Sequence, residues 1–313
     1  MTSPSHSHPL PKPSGPNQPY MHISALQAGF VAIPNDVVIQ GSTPTYQNCP
    51  SLAFYLRHSH LPNGGMIFDL GLRKNWETYP PEAQRNFQPG AMFPCTVPQD
   101  VAESCREGGV DPGEVECVVI SHLHFDHVGD CSPFTKATFI LGGEAQASLD
   151  DGYPENPHSA ILAASTPRDR TRFLTKEDFD TSIGPFPHAH DLFQDGSVYV
   201  IDTPGHSPGH LTLLARTSPT GAWLFLGADV AHDKRLLTDP RTRIATTREN
   251  GESFCVHRDP VQAEVDLGRV RRLLLEEDED GDGRVEAIIA HDWKWCEENL
   301  GRAFLPGRIV PRD

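Results

Sequence analysis

Apolar residues in this 313-residue chain fall into short runs separated by polar, Gly- or Pro-containing stretches, a pattern of alternating strands and helices. Val115-Glu116-Cys117-Val118-Val119-Ile120 reads as a buried strand. Val198-Tyr199-Val200-Ile201-Asp202, Trp223-Leu224-Phe225-Leu226 and Ile288-Ile289-Ala290 read the same way. Residues 51–57 and 65–69 predict paired strands across the turn Pro62-Asn63-Gly64. A helix is expected over 97–105, leading to the Asp111-Pro112-Gly113 loop. A longer amphipathic helix is expected over 261–276, where Ala263, Leu267, Val270 and Leu274 recur at helical spacing. The pattern by itself supports an α/β fold and nothing finer.

The ends of the apolar runs carry the chemistry. The first is followed by Ser121-His122-Leu123-His124-Phe125-Asp126-His127-Val128-Gly129-Asp130. The second leads into Thr203-Pro204-Gly205-His206-Ser207-Pro208-Gly209-His210. The third ends in Gly227-Ala228-Asp229 and the fourth in His291-Asp292. A strand that ends in such a cluster projects its side chains into one small volume at the sheet edge. Imidazole and carboxylate suit divalent zinc, manganese or iron, and this many donors exceed what one tetrahedral ion uses. Two adjacent ions are expected.

These motifs, in this order, resemble the metallo-β-lactamase superfamily of binuclear metal hydrolases, over roughly residues 50–295. The resemblance implies a four-layer αβ/βα sandwich of two mixed sheets flanked by helices. It implies that His122, His124 and His206 hold one metal, that Asp126, His127 and His291 hold a second, and that Asp229 bridges them. His210 becomes a supporting or packing residue, and Asp69 a support of the ligand loop. Two divalent ions, zinc foremost, are the implied cofactors. Their four positive charges would be reduced by two carboxylates and a bridging hydroxide, leaving enough to polarise a carbonyl. His124 stands where oxygen-reducing di-iron members carry Glu, so the chain reads as hydrolytic rather than redox.

The Thr203–His210 string and the Ala290-His291-Asp292 ending resemble the quorum-quenching lactonase branch. There, a metal-bridging hydroxide opens a ring ester, and a Tyr three residues after the bridging Asp assists the carbonyl oxygen. This chain has His232 at that place. Asp126 and His232 are therefore the catalytic candidates. Opening of a lactone or related ester is expected, without commitment to homoserine lactones. A thioesterase acting on a carrier-bound acyl chain is the alternative enzyme. A catalytically inert metal-binding protein on the same scaffold is the non-enzymatic one, and the complete ligand set argues against it.

Composition narrows the partners. With 26 basic and 42 acidic residues, the net charge of −16 argues against a nucleic-acid partner. Seven cysteines without a Cys-x-x-Cys spacing suggest reduced thiols and a cytoplasmic location. No signal peptide or membrane span is read from the sequence, and the oligomeric state is left open. Residues 1–20 read as a disordered Pro/Ser-rich leader, with one domain over 21–313. Two regions exceed a minimal core, at about 151–195 and 233–258. They are expected to wall the pocket, the first through Phe173, Phe179, Phe186 and Phe193, which would favour an apolar small-molecule substrate. Asp278-Glu279-Asp280-Gly281-Asp282-Gly283 imitates half of a calcium loop, but its twelfth position is Ile289, and a solvated acidic turn is expected instead.

Overall fold

Strand Leu211–Arg216 is buried at all six positions, because both faces of its sheet are covered. Leu211, Leu213 and Ala215 face the layer shared with the other large sheet. Leu214 turns to the opposite side, toward a helix. Such strands carry continuous apolar runs instead of alternation. The computed structural model describes residues 9–61, 65–275 and 285–310.

Fifteen strands occur among the described residues: β1 (Met21–Leu26), β2 (Phe30–Pro34), β3 (Tyr46–Pro50), β4 (Ala53–His58), β5 (Gly65–Phe68), β6 (Cys95–Thr96), β7 (Cys117–Val119), β8 (Thr138–Gly142), β9 (Thr171–Leu174), β10 (Thr181–Ile183), β11 (Phe186–Asp191), β12 (Val198–Asp202), β13 (Leu211–Arg216), β14 (Trp223–Leu226) and β15 (Val285–Ile288). One sheet has the order β1-β4-β5-β7-β8-β9 and the other β10-β11-β12-β13-β14-β15, with β3-β2-β6 as a small third sheet. Both large sheets are mixed. The first turns parallel from β5 onward, and the second is antiparallel until β15 joins β14 in parallel. The expected pairing of the strands around 51–57 and 65–69 is present as antiparallel β4 and β5.

Three apolar layers hold the sheets and helices together. Phe54, Leu56 and Phe68 of the first sheet meet Val200, Leu213 and Leu226 of the second. Behind the first sheet, Val118 and Phe139 meet Val101, Ala102 and Cys105 of helix Val101–Glu107. Asp100 caps that helix through a reciprocal pair with Glu103. Behind the second sheet lies helix Pro260–Leu275, which buries Ala263, Leu267, Val270 and Leu273, with Leu274 only partly buried. This is the αβ/βα sandwich. No helix among the described residues is long and apolar enough to cross a membrane.

The described part of the leader departs from the disorder expected of it. Pro11 accepts a hydrogen bond from the buried Arg216 guanidinium at 2.8 Å, which stacks 4.2 Å over the Trp223 ring. Gln18 is buried and bonds Asp195 O at 2.9 Å. A Pro-rich segment with little apolar side chain can dock when its carbonyls satisfy a buried cation, which its composition does not reveal. The turn at 62–64 and the acidic run 278–283 lie outside the described residues.

Candidate metal centre

The ligand loops are shaped by tight backbone geometry at the strand ends. Asp69 follows β5 with φ of 63°, a left-handed conformation that costs a non-Gly residue energy. There its carboxylate accepts from the Ser121 N–H at 2.6 Å, the Ser121 hydroxyl at 2.8 Å and His127 Nδ1 at 2.8 Å. One buried acid thus fixes both the start of the loop after β7 and a ring six residues later. Gly129 closes the loop at φ 38°, where a Cβ would meet the Leu70 carbonyl oxygen at 2.3 Å, so no larger residue fits. After β12, the Thr203 N–H donates to His210 O at 3.0 Å and folds the His206 loop back. His210 Nδ1 bonds the Thr203 carbonyl at 3.1 Å, and its Nε2 accepts from the Asp229 N–H at 3.2 Å. His210 is therefore a brace for Asp229. His291 is held through Nδ1 by Pro50 O at 2.8 Å.

The side chains converge in two sets. His122 Nε2, His124 Nδ1 and His206 Nε2 lie 2.9, 3.0 and 3.2 Å from one another. Asp126, His127 and His291 form the second group. Asp229 divides its oxygens between them. Its Oδ2 is 3.7 Å from His122 Nε2 and 3.5 Å from His206 Nε2, while its Oδ1 is 3.3 Å from both His127 Nε2 and His291 Nε2. All seven residues expected as ligands are thus brought into one buried volume, with His124 keeping an exposed edge.

The donor set fits divalent cations. Tetrahedral zinc with nitrogens at 2.0–2.1 Å spaces them roughly 3.3 Å apart, close to the spacing of the first trio. His127 Nε2 and Asp229 Oδ1 are buried without a hydrogen-bond partner, a costly state that a cation would relieve. Burial holds His122 and His206 well below the ordinary imidazole pKa, with neighbouring imidazoles adding to it. Neutral rings with free lone pairs are what a metal requires. In the second set burial is again the largest single influence and disfavours charge, but the neighbouring carboxylates together outweigh it and raise both rings: Asp229, Asp69 and Asp126 for His127, and Asp229 and Asp126 for His291. Burial alone would raise Asp229; His127, His291 and His232 reverse this and hold it well below the usual carboxylate range.

A cavity of about 340 Å³ opens over the cluster. His124, Asp126, Asp229 and His291 border it on one side, and Val31, Ile33, Phe93, Phe125, Phe254 and Val256 on the other. His232 also borders it, with Nε2 3.1 Å from Asp229 Oδ2. Behind His206 sits buried His257, its Nδ1 3.3 Å from His206 Nδ1 and its ring 5.1 Å from that of His232.

The aromatic wall differs from the one expected. Phe186 is buried in the core, stacked on Phe225 at 5.7 Å. Phe173, Phe179 and Phe193 pack against apolar layers elsewhere and do not line the cavity. Phe186 and Phe173 lie in strands, where the sheet turns their rings inward. The 151–195 region contributes Ala160 and, to an adjoining cavity, Ile161. The 233–258 region contributes Phe254, Cys255 and Val256. Its arginines Arg241 and Arg248 instead pair with Asp239 and Asp36. His257 was not anticipated, since Cys255-Val256-His257-Arg258 has no recognisable ligand spacing.

Comparison with known proteins agrees with this geometry. Residues 96–218 match the family described as the metallo-beta-lactamase superfamily. The metallo-hydrolase mfmC of Annulohypoxylon moriforme is 35% identical over 202 residues, 61% of this chain and 50% of that protein. The gamma-lactamase MBL2 of Gibberella moniliformis is 36% identical over 170 residues, 53% of this chain and 70% of that protein. This chain therefore spans only about half the length of mfmC. Among solved structures, an N-acyl homoserine lactone hydrolase with its product N-hexanoyl-L-homoserine at the catalytic metal centre superposes with a TM-score of 0.65 at 18% identity, covering 92% of this chain and 98% of that one. The chain belongs to the metallo-beta-lactamase superfamily.

Proposed function

We propose that this chain is a metal-dependent hydrolase that opens a lactone or related cyclic ester. The observation that carries this reading is Asp229, whose two oxygens face two separate donor sets across one buried volume beneath an apolar cavity. His122, His124 and His206 would hold one divalent ion, and Asp126, His127 and His291 another, with Asp229 between them. Zinc suits these nitrogen and oxygen donors. Bound ions would supply Lewis acidity to polarise a carbonyl and to acidify a coordinated water.

The protein's own groups do the rest. The walls formed by Val31, Ile33, Phe93, Phe125 and Phe254 take the hydrocarbon part of the substrate and exclude water from it. Opening a ring ester releases an alkoxide that needs a proton. His232 borders the cavity and touches Asp229, so it is placed to hold that proton and deliver it. Asp126 borders the same cavity and is the second group able to hold a proton there.

A second reading, a cyclic amide as substrate, is favoured by the gamma-lactamase relatives FDB1 and MBL2, 35% and 36% identical. An amine leaving group depends still more on a proton donor, so the same residues serve. A side-by-side panel of γ-lactones, γ-lactams and acyl thioesters, assayed with zinc-loaded protein, tests the proposal. Ring opening of a lactone or lactam is expected. Turnover of thioesters alone, or of nothing, would overturn it.

A further inference from the structure

A smaller cavity of about 250 Å³ lies beside the one above the cluster, and His124, His206, Cys255 and Val256 border both. The two therefore meet at His124 and His206, yet their linings differ. The larger carries Phe93, Phe125 and Phe254 together with Glu82, Asp126 and Asp229. The smaller has no carboxylate in its wall; its polar members besides His124 and His206 are Ser148, Ser207, Cys255 and Arg258. Three features of that wall point to an anion. Arg258 is exposed and its guanidinium has no ion-pair or hydrogen-bond partner among the described residues, whereas eight other arginines there pair with a carboxylate. The Ser207 hydroxyl is buried and likewise has no partner, a state that costs free energy unless a ligand satisfies it. The Arg258 N–H donates to His206 O at 2.8 Å, so the base of this arginine is tied to the ligand loop.

We propose that this cavity is a substrate subsite for a small anionic group, a carboxylate or its equivalent, recognised by Arg258 and Ser207. The substrate is then bipartite: an apolar ring or chain lies against Phe93, Phe125 and Phe254, the bond to be broken sits over the histidine trio, and an anionic substituent reaches toward Arg258. A guanidinium offers a carboxylate two parallel N–H donors, which fixes direction as well as affinity. The subsite rests on the hydrolase reading for which bond breaks, but anion binding can be measured without turnover.

The probe pair is benzenesulfonate and its neutral isostere methyl phenyl sulfone, since a sulfonate is a poor metal ligand and reports on the arginine. Binding to the zinc-loaded protein is measured by titration calorimetry or ligand-observed NMR. Benzenesulfonate is expected to bind about tenfold or more tighter than the sulfone, the range of hydrogen bonds to a charged group. Arg258→Ala removes that preference and leaves sulfone binding unchanged, Arg258→Lys keeps part of it, and Ser207→Ala weakens the sulfonate about threefold. Equal binding of the two probes, no measurable sulfonate binding, or an unchanged preference in Arg258→Ala would overturn the subsite. A selective subsite in a protein that hydrolyses no ring ester or amide would instead count against the hydrolase reading alone.

Discussion

His206 and His257 meet Nδ1 to Nδ1 at 3.3 Å inside the protein. A neutral imidazole has one donor and one acceptor nitrogen. His206 Nε2 faces His122 and His124, so its lone pair belongs to the cluster and its Nδ1 carries the proton. His257 Nδ1 must then accept. Burial, with His232 adding to it, holds His257 well below the usual imidazole pKa and keeps that lone pair available. The second set uses an oxygen in this place: Asp69 behind His127 and Pro50 O behind His291.

Loss of such a supporting partner typically weakens metal affinity by about 10–100-fold. His257→Ala is expected to do so at the histidine trio, with the fold intact, as measured by competition with a zinc chelator. His257→Asn, whose amide oxygen can accept the same proton, should recover most of the loss. Unchanged affinity in the alanine variant would show that His257 only fills space.

For His232 the expected signature is kinetic. His232→Ala should lower kcat on the best cyclic substrate by about 10²-fold, the effect of a positioned proton donor, while metal content measured on the same sample stays constant. His232→Tyr should retain substantial activity. An alanine variant with unchanged kcat would remove His232 from the mechanism.

Phe254 and Phe186 separate recognition from packing. Phe254 lines the cavity, so Phe254→Ala should raise KM for bulky apolar substrates about tenfold, in line with roughly 1.5–3 kcal/mol for a buried phenyl. Phe186 is buried against Phe225. Its replacement by Ala should cost about 3–5 kcal/mol of stability, read in denaturant unfolding, with KM unaltered.

Asp202 gives a pH dependence of stability. Burial pushes its carboxyl up to about 6, and Glu144 and Asp266 add to the rise. A raised folded-state pKa means a contribution to stability that is present below the ordinary carboxylate range and lost as pH rises through about 6. Asp202→Asn should therefore raise Tm at about pH 8 and change it little at about pH 4. Thermal unfolding at the two pH values checks this, and an equal shift at both would contradict it.

The candidate donor set was legible in the sequence because its members follow apolar strands, and strand ends that meet along one edge of the two facing sheets are neighbours in space. His122, His206, Asp229 and His291 come from four such ends, after β7, β12, β14 and β15. The four-layer sandwich needed the resemblance, since periodicity separates strands from helices but does not order them. The cavity wall was not legible. Phe173 and Phe254 are both aromatic residues in polar surroundings, and only the sheet decides that Phe173 packs inward while Phe254 faces the cavity. His257 escaped for the same reason, because its partner His206 lies 51 residues away.

The most direct test of the account is a metal titration of the stripped protein, with ring opening and bound zinc followed together. Asp229 divided between two donor sets predicts that two zinc ions bind per chain and that hydrolysis of a γ-lactone or γ-lactam reaches its maximum only as the second is taken up. Full activity with a single bound ion, or in metal-free protein, would contradict it.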